Sequence, residues 1–122
     1  CGVACANLGI FERDAELARV HQRAARLAEL LDRHIAPLEH VGDIRQVGLM
    51  TGIELVRDRE TRLTYETAER LGARVCKEIR KDEIILRPLG PVLILMPPLS
   101  ITEPELVYLV ESCERAIRAI TG

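Results

Sequence analysis

The sequence predicts an α+β domain of two layers: a short three-stranded sheet, antiparallel or mixed, with helices packed on one of its faces. Two observations lead to this prediction. Several long segments place apolar residues at three- and four-residue steps, which is typical of helices with one buried face. Between them lie short apolar runs bounded by glycine and proline, which is typical of strands and tight turns. The predicted order is helix, helix, strand, helix, strand, strand, helix.

The composition restricts the classes of function. The 122 residues are 48% hydrophobic and 30% charged, which is typical of one globular domain with a buried core. Basic residues alternate with acidic ones, the net charge is -2, and aromatic residues are 2% of the chain, so nucleic-acid binding is not expected. The longest apolar stretch, residues 91–101, is too short to span a membrane. With no signal peptide visible, a cytoplasmic location is expected.

Helical periodicity and capping residues predict four helices. Asp14 and Thr64 are expected to cap the second and third helices. Thr102 and Glu105 have the spacing of a capping box, with Pro104 in the first turn, and predict the start of the last helix. The predicted helices span residues 3–12, 14–38, 64–81 and 103 onward.

Three extended runs are predicted to form the sheet. The longest, Ile44–Val56, contains Gly48 and Gly52, which indicate a bulge or a close approach of another backbone. The other two are Glu83–Arg87 and Val92–Met96. Helices on one face leave the second face of such a sheet open to another domain or a ligand.

The cysteines do not predict a metal site. Only Cys1 and Cys5 have a short spacing, whereas zinc sites need paired ligands on both sides of a loop. Cys76 and Cys113 lie within helical patterns, and we expect them to be buried as small apolar residues.

Arg87 is the clearest candidate for a functional side chain. It ends an apolar run and precedes a rigid Pro-Leu-Gly turn, in the least charged part of the sequence. A guanidinium held there would be partly desolvated and able to bind a carboxylate with two hydrogen bonds. The alternative is an arginine at a strand end that pairs with a surface acid. For Arg45 and Glu54 we expect only an ion pair on the strand surface.

Three segments resemble the C-terminal part of class III, fold-type-I aminotransferases. The helix after the family's Gly-Asn-Pro segment is similar to residues 1–12, CGVACANLGIFE. The family's R-G-x-G-L-M-x-G-I-E-L strand is similar to residues 44–55, IRQVGLMTGIEL, with Gln46 where glycine is common. Its closing P-P-L-x-I-T-x-x-E-L segment is similar to residues 96–106, MPPLSITEPEL. The resemblance implies that residues 1–122 are the C-terminal small domain of such an enzyme.

Residues 86–90, LRPLG, with LMPPL at 95–99 are similar to the subfamily that makes 7,8-diaminononanoate in biotin synthesis. This resemblance implies a homodimeric enzyme with pyridoxal 5'-phosphate as cofactor. The amino group would pass from S-adenosylmethionine, or lysine in some relatives, to 8-amino-7-oxononanoate. In the subfamily the motif arginine binds the substrate carboxylate, and this carries over to Arg87. Leu89 falls where the family has an apolar or aromatic wall residue.

The resemblance also implies what the chain lacks. The family's cofactor lysine lies upstream of these segments, and neither Lys77 nor Lys81 matches it. We therefore expect no catalytic or cofactor-binding residue here and no activity from the isolated chain. Acetylornithine, 4-aminobutyrate and omega-amino-acid transaminases share the same overall sequence pattern and remain open as alternatives.

The start of the chain predicts a segment of a longer protein. Cys1 is not preceded by methionine and runs directly into a helical pattern, without a cap or a flexible lead. A function of a different class also remains open. In that interpretation the domain stands alone and binds a partner or a regulatory ligand on its open sheet face.

Overall fold

The fold is α+β, as predicted, with one more strand than the sequence indicated. The computed structural model describes all 122 residues. Short 3-10 turns flank the third helix at Thr67–Glu69 and Arg80–Asp82. The main elements are α1 (Gly2–Arg13), α2 (Glu16–His34), β1 (Val41–Val47), β2 (Met50–Leu55), α3 (Leu71–Ile79), β3 (Arg87–Leu89), β4 (Val92–Leu95) and α4 (Glu103–Thr121).

All four strands form one antiparallel sheet in the order β1-β2-β4-β3. The additional strand comes from residues 44–56, for which the prediction of one long strand was wrong. This run folds into the β1–β2 hairpin, with Val47 opposite Met50. Gly48 has a φ of +60° in the two-residue turn between them. Glycine adopts this left-handed conformation without a steric penalty, so Gly48 makes a turn where a bulge or close approach was predicted.

The helices pack on one face of the sheet and leave the other face open. Side chains alternate along each strand, so Ile53 and Leu93 point into the helical layer and are fully buried. On the open face, Met50 and Met96 remain 53% and 69% exposed. One apolar cluster joins the sheet to the helices. Its members include Leu27, Leu31, Leu55, Val75, Ile79, Leu95, Leu106, Val110, Cys113 and Ile117.

Two helices begin later than predicted. The Asp14 carboxylate does not cap α2 but accepts a 2.6 Å hydrogen bond from the Arg13 guanidinium. Ala15 then adopts a left-handed φ of 50° and separates α1 from α2. The helix predicted at 64–81 is also shorter, because the 3-10 turn Thr67–Glu69 precedes α3. Local polar contacts therefore replaced the caps that the sequence indicated.

The predicted helix at residues 3–12 is confirmed as α1, but it contributes nothing to the core. None of its residues is buried, and Val3 and Leu8 are 86% and 66% exposed. No helix in the structure combines the length and the apolar character that crossing a bilayer requires.

The predicted capping box at the start of α4 is confirmed. Thr102 Oγ1 accepts from the backbone N–H of Glu105 at 3.4 Å, and the Glu105 carboxylate accepts from the Thr102 N–H at 2.8 Å. The bonds from Thr102 lower the pKa of Glu105. The stabilisation from Glu105 is therefore present above the carboxyl pKa of the unfolded chain and is lost as pH falls through the lowered folded value.

We expect Thr102→Ala to lower the free energy of unfolding by about 1 kcal/mol, because α4 loses its N-cap. Denaturant unfolding followed by circular dichroism at neutral pH measures this change. The matched control is Thr64→Ala, since Thr64 is exposed and its side chain makes no hydrogen bond. Equal losses from the two variants would contradict a capping role for Thr102.

Candidate functional site

A groove lies beside Arg87, between residues 82–87 and the first half of α4. Its volume is about 850 Å³. Ile94 of β4 and the Met96–Pro98 segment that follows this strand also line the groove. The apolar lining consists mainly of Ile84, Ile85, Leu86, Ile94, Met96, Ile101 and Leu109, and the polar groups are Asp82, Glu83, Arg87, Glu105 and Tyr108.

Arg87 lies at the edge of this groove as the first residue of β3. The predicted strand Glu83–Arg87 was wrong, because Glu83 has a φ of 60° and residues 84–86 pair with no strand. Arg87 instead begins β3 and lies opposite Ile94 of β4. The next residue, Pro88, has no backbone N–H, which is tolerated because β3 is an edge strand.

The Arg87 guanidinium makes no hydrogen bond and no ion pair in the structure. The alternative of pairing with a surface acid is therefore not observed. Arg87 is exposed, so the partial desolvation that the sequence indicated is absent as well. Nothing in this chain covers the open face above the side chain. The geometry leaves a charged, planar donor group free beside an apolar groove.

The arginine at the opposite edge of the sheet already has carboxylate partners. The cross-strand row that contains Arg87 runs through Ile94 and Gly52 to Arg45 on the opposite edge. Arg45 donates 2.9 Å hydrogen bonds to both Asp43 and Glu54, which confirms the predicted strand-surface ion pair. The coupling to Glu54, with a smaller one to Asp43, raises the pKa of Arg45. Arg87 is left as the one cation of this face without a carboxylate partner.

Leu89 lies on the same side of β3 as Arg87, two residues further along, and is 71% exposed. Alternate residues of a strand are roughly 7 Å apart, so Leu89 is close enough to contact a molecule bound at Arg87. The structure does not place it in the lining of the groove. Its cross-strand neighbour is Val92, and the turn residue Gly90 follows it.

The end of the groove away from the sheet contains residues that the sequence analysis did not select. The Tyr108 hydroxyl donates to the Asp82 carbonyl at 3.2 Å. The Arg115 guanidinium lies 6.0 Å from the Tyr108 ring centroid and binds the Asp82 carboxylate at 3.0 Å. These contacts fix the segment before β3 against α4. The sequence signal that could have identified this contact is Tyr108, an aromatic residue next to the apolar stripe of α4.

The two lysines do not line this groove. Lys81 pairs with Glu78 at 2.7 Å, and Lys77 is exposed on α3. Both line a different surface groove together with Arg74 and Arg80. Neither lysine is therefore part of the Arg87 groove.

The buried thiols fill space in the core. Burial raises the pKa of Cys113 to about 12 and also raises that of Cys76. Both thiols remain protonated at neutral pH and are therefore poor nucleophiles. The prediction that they are buried is confirmed. No cluster of His, Cys, Asp and Glu side chains has the geometry to hold a metal ion.

Comparison with known proteins agrees with this architecture. The model of the family described as Aminotransferase class-III matches residues 1–117. The chain belongs to the class III aminotransferase family. It is 54% identical, over 99% of its length, to the adenosylmethionine-8-amino-7-oxononanoate aminotransferase of Nitratidesulfovibrio vulgaris, of which it covers 22%.

Solved structures of the family have the same fold. The enzyme of that name from Methanocaldococcus jannaschii superposes with a TM-score of 0.94 and 40% identity, over 98% of this chain and 27% of that one. The PMP-bound form of an aminotransferase from Vibrio fluvialis superposes with a TM-score of 0.92 and 25% identity, over 98% of this chain and 26% of that one. The chain thus spans about a quarter of the length of its relatives.

Proposed function

We propose that residues 1–122 act as the C-terminal small domain of a pyridoxal-phosphate aminotransferase. The enzyme moves an amino group from S-adenosylmethionine to 8-amino-7-oxononanoate and forms 7,8-diaminononanoate. The observation that carries this proposal is the unpaired Arg87 guanidinium beside an apolar groove. The keto acid has a carboxylate at one end and an aliphatic chain behind it, so its chemistry matches both features.

Arg87 binds the substrate carboxylate in this proposal. The planar guanidinium donates two parallel hydrogen bonds to the two carboxylate oxygens, which fixes the orientation of the acid as well as its position. The aliphatic chain packs along Ile85, Ile94 and Met96, which removes apolar surface from water. Leu89 forms a wall beside the carboxylate.

The cofactor is held outside this chain. Pyridoxal 5'-phosphate, when bound, would supply the carrier for the amino group and the electron sink for the transfer. No lysine of residues 1–122 lines the groove, so we expect the isolated chain to show no turnover. The homodimer that the family resemblance implies and the cytoplasmic location expected from the sequence both remain predictions.

The amine donor provides the direct test of this function. We expect the intact enzyme to form 7,8-diaminononanoate from 8-amino-7-oxononanoate when S-adenosylmethionine is supplied. Mass-spectrometric detection of the product checks this, with lysine as the alternative donor in a parallel reaction. Turnover with lysine alone would place the enzyme among the lysine-dependent relatives. Turnover of acetylornithine or 4-aminobutyrate, without reaction of the keto acid, would contradict the proposal.

A further inference from the structure

We propose that Gly72 is a positioning residue, whose missing side chain sets the place of Arg87 and thereby the affinity for the substrate carboxylate. This inference rests on the proposed function. It starts from the contact between α3 and the turn that joins β3 to β4. Gly72 is the second residue of α3 and is buried there.

The backbone of α3 approaches this turn too closely for a side chain. A Cβ atom at Gly72 would lie 2.3 Å from the backbone oxygen of Gly90 and 2.9 Å from the Cβ of Pro88. Both distances are below van der Waals contact. The atoms concerned belong to the backbone and to a rigid ring, so no flexible side chain can turn away. Any larger residue at position 72 must therefore displace the backbone.

The hairpin is the partner that moves. The α3 helix is anchored by Leu71, Val75 and Ile79, each at most 3% exposed. By contrast, β3 has three residues, lies at the sheet edge and pairs only with β4. An edge strand of this length has fewer interactions to lose than a helix packed into the core. A substitution at Gly72 consequently shifts β3.

The shift is transmitted directly to the binding face. Side chains alternate along β3, so Pro88 faces the helical layer while Arg87 and Leu89 face outward. Pressure on Pro88 from α3 therefore moves Arg87 relative to the groove. A bidentate hydrogen bond to a carboxylate depends on this position, and a displacement of about 1 Å in a positioned group can cost on the order of 100-fold in rate.

We expect Gly72→Ala in the intact enzyme to lower kcat/KM for 8-amino-7-oxononanoate by about 10- to 100-fold, mainly through KM. The same variant should leave kcat/KM for the methyl ester of this acid unchanged, because the ester lacks the charge that Arg87 binds. Alanine has a higher helix propensity than glycine, so a purely local effect would stabilise α3. The matched control is Gly9→Ala in α1, where an added Cβ meets no atom within 4 Å.

A double substitution separates positioning from general damage. If Gly72 acts through Arg87, Gly72→Ala should cause no further loss of activity toward the acid in an Arg87→Ala background. Additive losses, or equal losses with acid and ester, would overturn the inference. Should Gly72→Ala fail to fold, Pro88→Gly provides the same test from the hairpin side, because it removes the Cβ atom that lies next to Gly72 and the ring that stiffens β3. An unchanged preference of that variant for acid over ester would then overturn the inference.

The wild-type enzyme tests the proposed function of Arg87 separately from the role of Gly72. If wild type does not prefer the acid over the ester, the proposed function of Arg87 fails. If that preference exists and survives unchanged in Gly72→Ala, only the positioning role fails.

Discussion

Replacing Arg87 with alanine in the intact enzyme is expected to lower kcat/KM for 8-amino-7-oxononanoate by roughly 30- to 5,000-fold. This range corresponds to about 2–5 kcal/mol, the usual effect of removing one partner of a hydrogen-bonded charge pair that is buried in the complex. The loss is large because Arg87 has no carboxylate partner within the chain, so its charge is available to the substrate. Steady-state kinetics with the keto acid varied at a saturating amine donor measures it.

Two further variants define the role of Arg87. We expect Arg87→Lys to recover only part of the loss, because lysine keeps the charge but lacks the planar pair of donors. Arg33→Ala is the matched control, since Arg33 is an exposed arginine on α2 without an ion pair. A decrease in kcat/KM no larger for Arg87→Ala than for Arg33→Ala would remove Arg87 from the binding site.

The sequence predicted the parts of this fold that depend on local chemistry. The capping box of Thr102 and Glu105 and the apolar stripe of α4 were both identified, because hydrogen bonds and periodicity act within a few residues. The hairpin at Gly48 was missed because it depends on the pairing of two strands and not on local chemistry alone. A glycine inside an apolar run fits a bulge, a close contact or a turn, and only the pairing of β1 with β2 decides between them.

The sequence pointed to Arg87 as a candidate but did not predict its environment, and its role in binding stays a prediction. Arg87 was selected from its apolar surroundings and the rigid turn after it. The sheet register places Asp43 and Glu54 beside Arg45, on the side of the sheet away from Arg87. Register is a long-range property of strand pairing, so residue spacing did not reveal it.

The same limit explains why the sequence did not identify the close contact of Gly72. Gly72 is one glycine in a helical pattern, and its contact partner Gly90 lies 18 positions further along the chain. Arg23 and Arg26 of α2 similarly bind the Leu99 carbonyl and the Glu103 carboxylate, which are distant in sequence. Such contacts link α2 to the start of α4 and depend on how the helices pack.

The second large effect is expected from Leu93→Ala, which should lower the free energy of unfolding by about 2–5 kcal/mol. Leu93 is fully buried in the central strand β4, with Ile53 and Pro88 as its cross-strand neighbours. Removing its isobutyl group leaves a cavity between the sheet and the helices, and the neighbours can only partly fill it. Denaturant unfolding of the intact enzyme measures this loss.

The control for this effect is Leu63→Ala, since Leu63 is 54% exposed in a loop and should change stability by less than about 0.5 kcal/mol. Because Leu93 supports Pro88 from the β4 side, its removal should also raise KM for the keto acid more than KM for the amine donor. A stability loss as small as that of Leu63→Ala would show that the layer beneath β3 is loosely packed. Rigid placement of Arg87 by α3 and β4 would then be contradicted as well.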